Sequence, residues 1–441
     1  MIRLSKTYKI TGNSHFLKQL FQWGQTFDHC VWLDSNHYPL KELRYDVILA
    51  VGCLSEIQSK AEGGFDQLEA FQLEIQDWCF GYLSFDMKND LNPLSSDHYG
   101  GLDFPDMWFF QPEKIVIIKG DLVTLHYPSN SLEIMDLDMD HIQNFVTNFR
   151  KTVNQAVELT PRLSKLDYIK NVLALKAHIQ LGDIYEINYC MEWFQTEAKI
   201  DPALVFHQLN ELSLAPFSCY LKNKSHYALC SSPERYLSKT GRRLVSQPIK
   251  GTSKRFLDQD KDQASKLALG QSEKERSENV MIVDLVRNDL SKVAQKGSVR
   301  VDELFGLHTF KQVHQMISTI SADLHPEKSS IDAIKASFPM GSMTGAPKLR
   351  AMTLIEKYES SKRGLYSGAI GYFEPNGDFD FNVVIRTILY NAATQYVSYS
   401  VGSAITSGSD AELEYEECLL KADALSRVLR QADLTEARYH D

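Results

Sequence analysis

The stretch S-G-A-I-G-Y-F-E-P-N-G-D-F-D-F-N-V-V-I-R-T-I-L-Y, from Ser367 to Tyr390, decides the fold class. Asn376-Gly377 is a strong two-residue hairpin signal, because both central positions of such a turn need positive φ. Ser367–Phe373 and Phe379–Tyr390 on either side of it read as paired antiparallel strands. The same grammar recurs upstream. Phe217–Leu221 pairs with Tyr227–Cys230, and Arg235–Ser238 with Arg243–Gln247. Glu113–Tyr127 forms a hairpin around Gly120-Asp121. Tyr45–Gly52, Cys79–Met87 and Ile184–Phe194 read as further β-rich runs.

Helical segments are interspersed. Ser164 with Asp167 starts a capping box, with Ile169, Val172, Leu173, Ala177 and Leu181 at helical spacing and Gly182 at the end. Asp201-Pro202 is an N-cap followed by Pro at the first helical position. Ser272 with Glu275 caps a helix through Leu290, and Ser409 with Glu412 caps the last one. Many hairpins mixed with helices, without a regular βαβ series, predict an α+β fold with large antiparallel sheets. The polar, acidic segment from about 128 to 160 is the expected boundary between a strand-rich region, 1–150, and a core, 160–435.

The chain has 441 residues, 43 % apolar and 24 % charged, which is ordinary globular composition. Net charge is −10 from 47 Lys+Arg and 57 Asp+Glu. Such an acidic chain has no general attraction for nucleic acid or an anionic bilayer, so an anionic ligand needs a local cluster of positive groups. The seven cysteines are widely spaced with no C-x-x-C, which argues against a disulfide framework or thiolate zinc site. The N-terminal residues lack the apolar run of a signal peptide. No stretch approaches ~18 consecutive apolar residues. A soluble cytoplasmic protein is expected.

Five places can carry chemistry. Pro248-Ile249-Lys250-Gly251-Thr252 follows a strand, and a buried lysine there can serve as nucleophile or base; its plain alternative is a solvated turn lysine. Gly341–Lys348, G-S-M-T-G-A-P-K, opens a helix as an anion cradle or a structural loop, and lacks the G-K-[ST] of a Walker loop. Asp410–Glu417 is acidic, and Glu414 and Glu417 share a helix face. Glu278 lies among apolar residues of another helix. Oxygen donors from two helices without a Cys/His cluster suit Mg²⁺, against the alternatives of solvated carboxylates and an ion pair. Ser232-Pro233-Glu234 ends a strand. Arg386, inward on an alternating strand, would need a carboxylate from ligand or protein.

Together these motifs resemble the chorismate-utilising enzymes: the large subunits of anthranilate and aminodeoxychorismate synthases, and the isochorismate and salicylate synthases. S-P-E, P-I-K-G-T, E-N-V-M-I-V-D-L-V-R-N-D-L, G-S-M-T-G-A-P-K and E-L-E-Y-E-E stand in the family's order and approximate spacing between about Ser164 and Ala424. W-L-D-S and Y-D-V-I-L-A are similar, less specifically, to the variable N-terminal region of the amide-using members. The resemblance implies a sandwich of two mainly antiparallel sheets with helices outside.

Within the family, Lys in P-I-K-G-T points to the aminodeoxychorismate-forming branch, since anthranilate synthases usually carry Ala. The resemblance then implies that Lys250 attacks C2 of chorismate as the C4 hydroxyl leaves, assisted by the acid Glu234, and that ammonia adds at C4. It implies Glu278 and Glu417, supported by Glu414, as Mg²⁺ ligands. Gly251, Thr252, Tyr366, Arg386, Gly402, Ser403 and Ala404 match substrate contacts. It further implies a separate glutamine amidotransferase subunit and the route to p-aminobenzoate and folate. Alternatives are anthranilate synthase component I and a non-catalytic chorismate-binding regulatory subunit. Three departures stand out. The family's glycine-rich loop is Gly402-Ser403-Ala404, which requires negative φ at the larger residues. Gln315, preceded by His314, stands where many members have histidine. Glu186 replaces the usual Gln of amide-using members, and the Lys of water-adding ones.

Overall fold

A computed structural model describes residues 2–10, 13–38, 42–129, 132–147, 156–311 and 313–430. Among these residues the strands form two antiparallel sheets, of twelve and ten strands. The larger sheet runs Arg3–Lys9, Leu122–Pro128, Lys114–Lys119, Val47–Val51, His29–Asp34, Phe217–Asn223, His226–Ser232, Thr387–Asn391, Tyr396–Ile405, Glu186–Gln195 and Gly345–Ala346; Thr160–Pro161 also pairs with Glu186–Gln195. The smaller runs Ile249–Lys254, Val313–Asp323, Arg243–Gln247, Arg235–Thr240, Phe379–Asn382, Ala369–Phe373, Cys79–Leu83, Met107–Gln111 and Ser55–Ser59; Arg300–Thr309 also pairs with Val313–Asp323.

Alternation along the strands feeds two apolar layers. Ile48 and Ala50 join a core that also holds Phe80, Tyr82 and Trp108 of the other sheet, so this layer lies between the sheets. Val47, Leu49 and Val51 point the opposite way, into a second layer with Leu20, Val172 and Leu425 of the covering helices. A strand buried on both faces needs an unbroken apolar run, which is what Val47–Val51 supplies. The helices Glu273–Ser291 and Ser330–Ser337 cover the smaller sheet; Ile282, Val286 and Ile334 contribute to the inter-sheet cluster's continuation there. No described helix is long and apolar enough to cross a membrane.

The predicted hairpins form, including Lys114–Lys119 with Leu122–Pro128 around Gly120, whose φ is +58°; the one at Asn376-Gly377 closes through Glu374 N to Asp378 O over three residues, of which only Gly377 has positive φ, so it is not a two-residue turn. Four expectations need correction. Residues 1–150 are not a layer resting on a separate core: His29–Asp34 pairs with Phe217–Asn223, and Cys79–Leu83 with Ala369–Phe373, so the early strands complete both sheets. Phe379–Tyr390 is not one strand. Phe379–Asn382 belongs to the smaller sheet and Thr387–Asn391 to the larger, and the chain crosses between them at 383–386. The last helix, Ala411–Arg430, is capped by Asp410, whose Oδ1 accepts from the backbone N–H groups of Glu412 and Leu413. Ser409 instead accepts from the Thr406 N–H in the preceding turn. Cys79–Met87 is strand only through Leu83 and continues as a tight helical turn, Phe85–Met87. The acidic segment holds a helix, Leu132–Gln143; residues 130, 131 and 148–155 lie outside the described part.

Candidate active site

The crossings between sheets build the site. Ser232-Pro233-Glu234 carries the chain from His226–Ser232 in the larger sheet to Arg235–Thr240 in the smaller. Beside it, Val383–Arg386 crosses back. The two crossings are tied by Val383 N to Glu234 O at 3.0 Å and Ser231 N to Arg386 O at 3.1 Å. Arg386 has φ +52°, so it is a crossing residue and not an alternating strand position. A cavity of about 440 Å³ opens at this seam. It is large enough for a small polar metabolite.

Lys250 reaches the cavity from the end strand of the smaller sheet. Ile249 faces Ile317 and Thr252 faces Gln315, so one extra residue bulges on the Lys250 strand. Gly251 absorbs the bulge at φ +87°, and a Cβ there would stand 2.9 Å from Glu275 Oε2. Lys250 is 8 % exposed, and its Nζ donates to Glu186 Oε1 at 2.6 Å. Glu186, on the near-edge strand of the larger sheet, keeps a second buried oxygen, Oε2, with no hydrogen-bond partner. Burial by itself would lower the Lys250 pKa. Glu186, Glu278 and Glu234 together outweigh it and hold the amine above its ordinary value, as ammonium.

The Gly341–Lys348 motif serves as a wall. Gly345, at φ +147°, lies against the Glu186 strand, where any Cβ would meet Glu186 O at 2.2 Å. Ser342 and Met343 line the cavity. The helix Lys348–Tyr358 begins outside it, and Lys348 Nζ is spent on Asp289 and on the carbonyls of Ser337 and Pro339. The expected anion cradle at this helix start is therefore absent from the cavity, and Lys348 is a structural clamp.

Two helices supply the acidic wall. Glu278 and Glu275 come from Glu273–Ser291, and Glu414 and Glu417 from Ala411–Arg430. Lys274 Nζ sits 3.3 Å from Glu414 Oε1 and 4.0 Å from Glu278 Oε1, and Lys421 Nζ 2.7 Å from Glu417 Oε1. Glu278 Oε1 is nevertheless buried with no hydrogen-bond partner. Burial raises the carboxyl pKa of Glu278 to about 7, with Lys250 opposing. Burial likewise raises Glu234 to about 7, against the pull of Ser342 and Lys250. Arg386 is half-buried and makes no close ion pair among the described residues, with Glu417 acting on it only at longer range, so its guanidinium is available to an anion in the cavity.

Of the residues expected from sequence, Lys250, Glu234, Gly251, Thr252, Tyr366, Arg386, Gly402, Ala404, Glu278, Glu414 and Glu417 line this one cavity. Ser403 does not. Strand alternation turns its side chain to the opposite face, where its Oγ lies 3.0 Å from Tyr168 Oη. Neither Ser403 nor Ala404 has positive φ, so the departure from glycine costs no backbone strain. Gln315 lines the cavity, whereas His314 turns away to Asp262 and Thr309. Glu275, Lys274, Lys421 and Asn188 were missed, and Ser342 was singled out only as part of the Gly341–Lys348 motif. Glu275 has a visible signal, lying one helical turn before Glu278, but it also stands at the capping position after Ser272.

Residues 29–427 match the chorismate binding enzyme family, and the chain belongs to it. It is 31 % identical over 371 residues to aminodeoxychorismate synthase component 1 of Bacillus subtilis, covering 82 % of this chain and 78 % of that one. It is 35 % identical over 379 residues to a chloroplastic aminodeoxychorismate synthase of Arabidopsis thaliana, covering 80 % of this chain and 41 % of that one. The chain thus spans less than half the length of the plant relatives it matches. In fold it superposes on the menaquinone-specific isochorismate synthase of Escherichia coli with a TM-score of 0.76 at 19 % identity, covering 98 % of this chain and 94 % of that structure.

Proposed function

We propose that this chain is the synthase component that converts chorismate and ammonia to 4-amino-4-deoxychorismate, on the route to p-aminobenzoate and folate. The observation that carries this is Lys250: a buried amine aimed into the cavity, with the acid Glu234 opposite and an unpaired arginine beside it. The names of the Bacillus subtilis and Arabidopsis thaliana relatives agree with it.

Arg386 would receive a substrate carboxylate. The Lys250 amine would attack C2 while the ring double bond shifts and the C4 hydroxyl departs, taking a proton from Glu234 to leave as water. Glu234, at about 7, is protonated in a useful fraction near neutral pH. Ammonia would then add at C4 as the Lys250 amine leaves C2. An unperturbed lysine is only about 0.1 % free amine near pH 7.5. Glu186, hydrogen-bonded to the ammonium, sets the pH at which Lys250 becomes nucleophilic.

The acidic wall fits a hard divalent cation: its donors are all carboxylate oxygens, and the buried Glu278 Oε1 has no hydrogen bond. Mg²⁺ would be held by Glu278 and Glu417 with Glu414 in support. When bound it would neutralise a ring carboxylate of the substrate. Ammonia would come from glutamine through a separate amidotransferase subunit.

Incubating the full chain with chorismate, NH₄⁺ and Mg²⁺ tests this by product mass and pyruvate release. The 4-amino product without pyruvate is expected. Anthranilate with stoichiometric pyruvate would replace the proposal with anthranilate synthesis, and chorismate binding without turnover would leave a regulatory subunit.

A further inference from the structure

A second cluster of ligating side chains lies where the larger sheet passes into the smaller one near the N-terminal strands. The strand Val47–Val51 leaves the larger sheet, and after a short link the chain enters Ser55–Ser59, at the far edge of the smaller sheet from Lys250. His29 begins the neighbouring strand, and its carbonyl accepts from Gly52 N at 3.1 Å. This folds Cys53 and Glu56 back onto the His29 ring. His29, Cys53 and Glu56 each offer one donor atom, and these atoms all lie within 4.8 Å of one another. No other set of His, Cys, Asp and Glu donors among the described residues meets that condition, the cavity acids included.

The pivotal atom is His29 Nε2. It is buried, in a residue 8 % exposed, and has no hydrogen-bond partner. It faces Glu56 Oε2 at 3.4 Å, a contact that pairs the two only when the imidazole is protonated. A buried polar atom left without a hydrogen bond destabilises the fold, so its aim at a thiol and a carboxylate needs a physical reason. The surroundings hold the donors in place. The His29 ring stacks on Trp108 with centroids 5.7 Å apart. Trp108 Nε1 donates to Glu56 Oε2 at 2.8 Å, an outer contact of the kind that orients a ligating carboxylate. Glu56 Oε1 accepts from Lys224 Nζ at 2.9 Å, and Lys224 is exposed and free to swing into solvent.

We propose that His29, Cys53 and Glu56 bind a divalent metal ion of the zinc class, at a site sharing no residue with the chorismate cavity. Imidazole nitrogen, thiolate sulfur and carboxylate oxygen together select a borderline ion over Mg²⁺. Solvent water completes four-coordination. On binding, a metal–sulfur bond forms and the Cys53 thiol proton passes to water. The bound ion ties the start of one sheet to the crossing into the other, so it stabilises the fold and takes no part in turnover.

The test uses the full chain in excess Mg²⁺, which occupies the acidic cavity. Co²⁺ is added and then displaced by Zn²⁺, with near-ultraviolet absorption and calorimetry as readouts. The other cysteines are buried, so a thiolate-to-cobalt band reports Cys53. The expected result is that band, its loss on adding one equivalent of Zn²⁺, and Zn²⁺ binding weakened at least about 10-fold in both Cys53→Ser and Glu56→Gln. Both positions are partly or fully exposed, and circular dichroism checks that the variants fold. Absence of a thiolate band in the wild type, or Zn²⁺ affinity equal in wild type and Cys53→Ser, overturns the proposal and leaves an ion pair between Glu56 and Lys224.

Discussion

Two buried acid–base pairs touch the strand Glu186–Gln195, and they are built differently. Arg363 bonds Glu359 through Nε at 2.9 Å and Nη2 at 2.6 Å. Its remaining donors reach the carbonyls of Met343 and Asn188 at 2.7 and 2.8 Å and Ser367 Oγ at 3.3 Å. Glu359 also accepts from Cys190 N at 2.9 Å. Lys250 makes one hydrogen bond, to Glu186, and leaves Glu186 Oε2 without a partner, while Glu278 Oε1 nearby is also unpartnered. A buried charge cluster that satisfies itself rigidifies the fold, and one left incomplete keeps acceptors open to a ligand or ion. Arg363 braces Asn188 and Met343, both cavity-lining residues, so the closed pair supports the open one.

The comparison breaks most severely through Lys250→Ala. The variant should lose formation of the 4-amino product by on the order of 10³-fold or more, because the amine nucleophile is gone. Its thermal unfolding and chorismate affinity should change little. Product formation near the wild-type rate would remove Lys250 from the chemistry. Arg363→Ala should do the reverse. It strands Glu359 in the interior, and breaking a buried pair costs about 3–5 kcal/mol. A chemical denaturation midpoint close to wild type would show that the closed pair is no brace.

Glu278→Ala and Glu417→Ala probe whether the open cluster is completed by a cation. Loss of a group that only supports a metal ligand costs about 10–100-fold, so each variant should lose at least that in Mg²⁺-dependent turnover. Calorimetry with chorismate present that shows unaltered Mg²⁺ binding in both would refute the assignment. Glu186→Gln is a subtler change. The Glu186 carboxylate favours the Lys250 ammonium, so removing its charge lowers the amine pKa. The rising limb of kcat/KM with ammonia, corrected for the fraction of free NH₃, should move to lower pH. A limb that stays in place or rises would leave Glu186 as a polar contact only. Ser403→Ala should change kcat/KM less than about two-fold, since its buried hydroxyl faces Tyr168 on the side of the strand away from the cavity. A larger loss would mean that the outer face of this strand reports into the cavity.

Much of this was legible in the residues themselves. Asn376-Gly377, Gly120-Asp121 and the Ser164 and Ser272 caps encode local geometry, and local geometry is set within a few residues. The candidate motifs were equally legible, because Lys250, Glu234, Glu278 and Glu417 stand out by residue type, and all four line the cavity. Glu275 was misjudged because one residue does two jobs: its N–H is capped by Ser272, while its side chain reaches the cavity beside Gly251. Ser403 was misjudged because adjacency in sequence is not adjacency in space: a strand sends successive side chains to opposite faces.

By itself, the sequence determined the residue types, the hairpin pairings, the helix starts at Ser164, Asp201 and Ser272 and the family, since these depend on short-range sterics, capping and motif order. Tertiary structure alone decided that Val383–Arg386 crosses between sheets, and so that Arg386 reaches the same cavity as Glu234 without a close ion pair. It also decided that Glu186 and Lys250, 64 positions apart, meet at 2.6 Å. The physical reason is that a run such as F-N-V-V-I-R-T-I-L satisfies β geometry whether it stays in one sheet or changes sheets. Which it does depends on hydrogen bonds from partners distant in sequence, here the backbones of Ser231 and Glu234.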